Sequence, residues 1–304
     1  MPKIAYAETK LGQAKLDRIE QANQIIAEYA AQGFDLTLRQ LYYQFVSRAL
    51  IPNNDKEYKK LGDIISDGRM CGLIDWDAIV DRTRYLRAQA HWFSPASIVK
   101  ACSTQFRLDK WERQDTYCEV WIEKDALIGV IENICNELDV PYLACRGYAS
   151  ISEVWRAGHQ RLKEKCEDGK DVRIFYLGDH DPSGIDMSRD VQARLDLFVG
   201  EDNSITVDRL ALNYDQIQQY NPPPNPTKLT DSRATGYIDQ FGHTCWELDA
   251  LEPTVIANLI QDAVLNVRDD SLWEEAVLEE NEGRKNLAAI ADKWDSVITF
   301  LKGK

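Results

Sequence analysis

The sequence predicts an α/β fold flanked by helices: an N-terminal helical domain, an α/β domain built on a parallel sheet, and a helical C-terminal extension. Three observations predict it. Strand-like and helix-like segments alternate from Tyr117 to Leu212, three amphipathic helical stretches precede them, and the chain after Cys245 reads as mostly helical. Hydrophobic residues are 44% and charged residues 28% of 304, as in folded globular proteins. The length suits about two domains, placed here at 1–113 and 114–304.

Each element has a local reason. Leu16, Ile19, Ile26 and Ala30 recur at helical spacing, and Gly33 sits where a helix ends. A second helix begins after Asp35 or Thr37, either of which can cap it, and carries Leu38, Leu41, Tyr42, Phe45, Val46 and Ala49 on one stripe. Pro52-Asn53-Asn54-Asp55 breaks it, and a third helix runs over 56–70. The stretch LIDWDAIVDRTR that follows is compatible with a small hairpin, so helix, helix, helix and wing form a winged-helix pattern; an ordinary helical subdomain is the alternative. YCEVWIEK, VPYLACRG, VRIFYLGD and SITVDRLAL then read as strands separated by helices of 14 or more residues, the rhythm of βαβ units in a parallel sheet. The run NPPPNP (221–226) runs extended.

Charge and cysteine usage exclude several classes. The net charge is −14, but residues 36–113 hold 13 basic against 9 acidic side chains, while 114–304 hold 19 against 36. A polyanion is attracted only to the middle segment. No apolar run reaches the roughly 18–20 residues of a membrane span, and the first residues lack the apolar core of a secretory signal. Seven cysteines without a CxxC pair argue against a disulfide framework or zinc knuckle, so a cytoplasmic setting is expected.

Chemistry in open parallel sheets gathers at the carboxyl ends of strands. Glu123 closes the first strand, and Asp179 and Asp181 close the third within LGDHDPSG. Three converging carboxylates call for a cation, and oxygen-only donors favour Mg²⁺ or Mn²⁺. The plain alternative is a turn and helix cap with no metal. On the second helix, Tyr42 lies on the apolar stripe and is expected in the core; Tyr43 lies off it beside Arg39 at i+4 and is the tyrosine open to a substrate. A phenol with pKa near 10 needs activation to act as a nucleophile.

The strings VWIEKDAL and FYLGDHDPSGID, with the turn RGYAS between them, resemble the TOPRIM fold of topoisomerases, primases and related nucleases. They are most similar to the A subunit of topoisomerase VI and its meiotic double-strand-break relative. The resemblance implies a winged-helix domain before a Rossmann-like TOPRIM domain. It implies Glu123, Asp179 and Asp181 as ligands of Mg²⁺ or Mn²⁺, with His180 outside the ligand set. TLRQLYYQFV matches the family's Arg-x-x-Tyr-Tyr pattern at Arg39 and Tyr43, which implies Tyr43 as the nucleophile and Arg39 as the group that stabilises phenolate and phosphate. The activity implied is type IIB topoisomerase-like cleavage of double-stranded DNA by transesterification, in a homodimer where the tyrosine of one protomer meets the metal of the other. The chain has no Walker A motif, so ATP-driven strand passage, the isomerase activity, needs a separate ATPase subunit. Two other readings stay open: a hydrolytic TOPRIM nuclease in which Tyr43 is structural, and a DNA-binding scaffold without activity.

Several further residues belong to these expectations. Lys59, Lys60, Arg69, Arg82, Arg84 and Arg87 can contact DNA phosphates, or form a solvated face. Lys228 and Arg233 follow the proline run as candidate phosphate contacts. Glu247 and Asp249 either add to a metal site or cap the helix near Glu252-Pro253. Trp76, Trp111, Trp121 and Trp155 read as core or interface.

Overall fold

A computed structural model describes residues 3–80, 89–200 and 205–303. The chain divides into two compact units, Met1–Arg84 with Cys118–Leu265 and Tyr85–Tyr117 with Asn266–Lys304. The boundary expected at residue 113 falls inside the smaller unit, and 114–304 is shared between the two.

The larger unit opens with α1 (Gln13–Ala30), α2 (Leu38–Ser47) and α3 (Asp55–Met70). Thr37, not Asp35, caps α2, through a capping box with Gln40; Asn54 caps α3. The buried stripe of α1 is Ile19, Ala22, Ile25 and Tyr29, while Leu16 and Ala30 are exposed. These side chains pack with Leu41, Phe45, Leu61, Ile64 and Ile65, and with Ala250 from the far end of the unit. Among the described residues, 73–80 form turns and one bridge from Leu36 to Ile79, with no hairpin; the remainder of the expected wing lies outside them.

In the smaller unit, α4 (Pro95–Gln105) starts from a Ser94–Ser97 capping box with Pro95 in its first turn. The larger unit resumes with β1 (Thr116–Ile122), α5 (Ile128–Glu137) and β2 (Tyr142–Ala144). A helical run follows: α6 (Ile151–Trp155), a π-helical stretch Arg156–Leu162 and α7 (Lys163–Glu167). Next come β3 (Asp171–Leu177), α8 (Pro182–Val199), β4 (Ile205–Ala211), α9 (Tyr214–Tyr220), β5 (Asn225–Pro226), α10 (Ala234–Phe241), β6 (Thr244–Cys245) and α11 (Pro253–Leu265).

The four expected strands form a four-stranded parallel sheet in the order β2-β1-β3-β4, the mixed α/β architecture read from the sequence and compatible with a Rossmann-like domain. That order has a functional consequence. β1 and β3 are neighbours, but their following connections leave in opposite directions, toward β2 and toward β4. A crevice opens at the carboxyl ends of such a pair, the topological switch point where ligands bind in open α/β sheets. The proline run ends in β5, which pairs antiparallel with β6, Asn225 opposite Cys245.

The smaller unit is completed by α12 (Asp270–Asp292) and α13 (Trp294–Lys302). Trp111 meets Trp273 edge to face with ring centroids 6.1 Å apart. Trp121 is also buried, in the sheet, whereas Trp76 is half-buried and Trp155 is exposed and stacks on His159. Among the described residues no helix is long and apolar enough to cross a membrane.

Glu280 ties the smaller unit together. Its buried carboxylate takes the Leu108 N–H at 2.9 Å and the Lys110 ammonium at 3.0 Å, and pairs with Arg284. Burial raises its pKa, but the Leu108 N–H, Lys110 and the Arg107 charge outweigh burial and hold the carboxyl below the usual carboxylate range. A carboxyl with a depressed folded pKa contributes stability present above its unfolded pKa and lost as pH falls through the folded value. Glu280→Ala is expected to cost about 3 kcal/mol, because the buried acceptor shared by the Leu108 N–H, Lys110 and Arg284 is lost. In wild type the same contribution should fade below about pH 4.5, while the variant loses less stability over that range. Urea denaturation followed by circular dichroism across pH 3–7 (a roughly chosen window bracketing carboxyl titration) measures both.

Candidate functional site

The site is built where β1 and β3 end. Glu123 N–H donates to Leu177 O at 2.8 Å, which aligns the two strand ends, and Glu123 Oε2 accepts the Asp179 N–H at 2.9 Å. Burial and then the nearby Asp181 charge raise the Glu123 pKa, against the Asp179 N–H. The turn from Gly178 to Gly184 needs its second glycine: a Cβ on Gly184 would lie 2.2 Å from Asp179 O. Asp181 accepts from Gly184 N at 2.6 Å and from the Ser183 hydroxyl at 2.9 Å, so its side chain caps α8. Arg209 of β4 reaches under the turn and donates to Asp179 O at 2.6 Å, Gly178 O at 3.1 Å and Gly184 O at 2.9 Å.

His180 is not the surface residue that its place between two aspartates suggests. It is 3% exposed. Its backbone pairs with Trp246 through two 2.9 Å hydrogen bonds, and its Nδ1 lies 2.8 Å from the Tyr237 hydroxyl. Phe241, Tyr237, Tyr214 and Trp246 surround the ring. Burial, with the Arg209 charge, pushes the imidazole down to about 4, so it is neutral at pH 7. The pairing with Trp246 carries the following residues over the strand ends.

Those residues bring Glu247 and Asp249 into the site, in a role neither sequence alternative foresaw. Lys124 extends from the end of β1 and places its ammonium 2.8 Å from Asp179 Oδ1, 2.9 Å from Glu247 Oε2 and 2.8 Å from Asp249 Oδ1. The Leu248 N–H donates to the same Asp179 oxygen at 2.7 Å. Burial works against the charge on Lys124, but Asp249, Asp179 and Glu247 together hold it protonated well beyond the usual lysine range. Burial raises the Asp179 pKa, and Glu123 and Asp249 add to this against Lys124. Burial also opposes ionisation of Glu247, yet Lys124 and Arg39 prevail and hold it down to about 2.

Arg39 enters from α2. Its Nε lies 2.8 Å from Asp249 Oδ2, its Nη2 pairs with Glu247, and Nη2 is 3.5 Å from the Tyr43 hydroxyl. Tyr43 itself is 4% exposed, so the expectation of an open phenol fails. The apolar stripe of α2 packs with α1 and α3, and Tyr43 joins the same buried cluster; the turn Leu248–Ala250 packs against α2 as well, with Asp249 meeting Arg39 one turn before Tyr43. Tyr42 is equally buried, its hydroxyl 2.9 Å from Asn53 Oδ1. Burial, then the Asp249 and Glu247 charges, raise the Tyr43 pKa; Arg39 opposes them and does not prevail.

These residues line one cavity of about 590 Å³ in the larger unit: Arg39, Tyr43, Lys124, Asp179 and Asp181, with Lys228 exposed on it. The structure therefore brings together Arg39, Tyr43, Asp179, Asp181 and Lys228 from the sequence-derived set. It adds Lys124, Glu247, Asp249 and Asn225, whose Nδ2 donates to Glu247 Oε1 at 3.2 Å. Tyrosine and carboxylates meet within a single chain, where the resemblance implied two.

Other candidates are placed elsewhere. Lys59 and Lys60 are exposed on α3, with Lys60 3.6 Å from Glu57. Arg69 turns inward, donates to Trp76 O at 2.9 Å and to Ile79 O, and lies over the Trp76 ring; it holds the 75–79 turn rather than facing solvent. Arg233 is engaged by Asp231 at 2.9 Å, Asp186 at 3.0 Å and the Tyr148 hydroxyl. Arg82, Arg84 and Arg87 lie outside the described residues.

The carboxylates do not form a metal cluster as they stand. Asp181 is committed to its helix cap and Asp179 to Lys124, and among the described residues no group of three His, Cys, Asp or Glu side chains could hold a metal ion. Compared with models of protein families and with curated proteins, the chain matches none.

Arg39 and Asp249 join α2 to the strand-end cluster, so their substitutions should not be additive. A double-mutant cycle of Arg39→Ala and Asp249→Ala is expected to give a coupling of about 1–3 kcal/mol in urea denaturation. A coupling near zero would make the pair electrostatically idle.

Proposed function

We propose that this cavity is a phosphodiester-cleavage site and that the protein cuts duplex DNA by tyrosine transesterification, in the manner of topoisomerase VI A subunits. The observation that carries the reading is the convergence of Arg39 and Tyr43 with Lys124 and Asp179 on one cavity at the switch point of the sheet. Tyr43 Oη forms the new bond to phosphorus, and the bond to the leaving sugar oxygen breaks and frees a hydroxyl that takes up a proton. The phenol proton leaves through the cavity to solvent, because Glu247, held down to about 2 by Lys124 and Arg39, is too weak a base to keep it. Arg39 lies beside the same hydroxyl and supplies positive charge to phenolate and phosphate. Lys228 on the cavity and the exposed Lys59 and Lys60 of a winged-helix-like N-terminal segment guide the DNA backbone. Two copies in a homodimer would address the two strands. The Mg²⁺ or Mn²⁺ that the motif implies has no preformed cluster to bind among the described residues, so divalent dependence is itself a readout.

A second reading has its own observation. Tyr43 is buried and its phenol is harder to ionise than a free one, which favours a structural tyrosine and a hydrolytic nuclease. One assay separates the two. Supercoiled plasmid is incubated with wild type, Tyr43→Phe or Asp179→Ala, with and without Mg²⁺ or Mn²⁺, stopped with detergent and run with and without protease. Transesterification leaves protein-linked breaks that both variants lose. Protein-free breaks that survive in Tyr43→Phe and vanish in Asp179→Ala assign a nuclease. No break under any condition refutes cleavage by the chain alone.

A further inference from the structure

The carboxylates over the strand ends already have a cation, and the chain supplies it. Lys124 follows Glu123 directly, and its ammonium touches Asp179, Glu247 and Asp249 at 2.8–2.9 Å. Its side chain is 18% exposed, so water screens these contacts weakly. Arg39 neutralises the outer side of Glu247 and Asp249. Asp181, which a three-carboxylate site would require, faces the first turn of α8 instead.

We infer that Lys124 is the resident counter-ion of this site and that a divalent cation binds Asp179 only by displacing its ammonium. The inference takes its purpose from the cleavage reading, but its electrostatics stand apart from it. An ammonium and a divalent ion on one carboxylate repel twice as strongly as two single charges at the same separation. Removal of the ammonium reverses the balance: Asp179 loses its ion-pair partner and stands buried beside the buried Glu123, while Asp249 keeps only Arg39, which leaves the all-oxygen donor chemistry that Mg²⁺ and Mn²⁺ take. Lys124 is thus a positioning residue that acts through Asp179 and sets how readily the site accepts metal.

The test is a Mn²⁺ titration of the full chain without DNA, read by calorimetry and by thermal unfolding. Lys124→Met is expected to bind Mn²⁺ at least about tenfold more tightly than wild type. It is also expected to melt lower without Mn²⁺ and to regain the loss when Mn²⁺ is added. Glu247→Gln removes one of the three anchors of the ammonium and leaves Glu123, Asp179 and Asp181 intact; its affinity should fall between the two. Asp179→Asn added to Lys124→Met should abolish the gain. Equal affinity in wild type and both single variants overturns the inference, as does weaker binding in Lys124→Met. Should Lys124→Met fail to fold, an affinity of Glu247→Gln no higher than that of wild type overturns it. No DNA enters this measurement, so failure of the plasmid assay and failure of the titration are separate results.

Discussion

The contact of one ammonium with three carboxylates organises the larger unit. Lys124 comes from the end of β1, Asp179 from the end of β3, and Glu247 and Asp249 from the segment that crosses above them. Arg39 extends the same network to α2. Without the two cations these acids would repel one another and lift their own pKa values. With them, the helices of residues 1–84 and the sheet are fastened at one point, and Ala250 enters the hydrophobic core of the helices beside it. A shared core and a shared charge network explain why the chain does not divide between helices and sheet.

The turn that holds Asp179 is fixed from several sides. Arg209 binds three of its carbonyls, Glu123 accepts its amide, and the aromatic cage around His180 anchors its middle. His180 is kept neutral, so this anchor does not change with pH in the neutral range. Rigid surroundings of this kind place a reactive group without reorganisation during reaction.

Much of the fold was legible in the sequence and less of the site. The strands at 116–122, 142–144, 171–177 and 205–211 could be read because β-branched and aromatic runs alternate with long helical stretches. Glu123, Asp179 and Asp181 stood out as acids at strand ends. Exposure of Tyr43 could not be read, because periodicity reports one buried face of a helix and says nothing about a segment two hundred residues away that also packs against it. Lys124 is hidden for a related reason: beside Glu123 it reads as an ordinary solvated lysine, and the crossing of Trp246–Ala250 gives it two of its three partners. The burial of His180 cannot be read from the polar triplet that holds it, because its aromatic neighbours come from three later segments.

The smaller unit takes its two halves from opposite sides of the sheet domain in the chain. α4 ends at Gln105 and its packing partner α12 begins at Asp270, so 164 residues (106 to 269) separate them. On a ribosome adding roughly 5–20 residues per second, that gap lasts on the order of ten to thirty seconds. Throughout it the apolar surface of α4, and Phe106 beside it, has no α12 to cover it, while the strands and helices of the sheet domain are being made. The order of synthesis thus sets the order of assembly: the smaller unit closes only after α12 is made, with an interval in which its first half is open to chaperones or to aggregation.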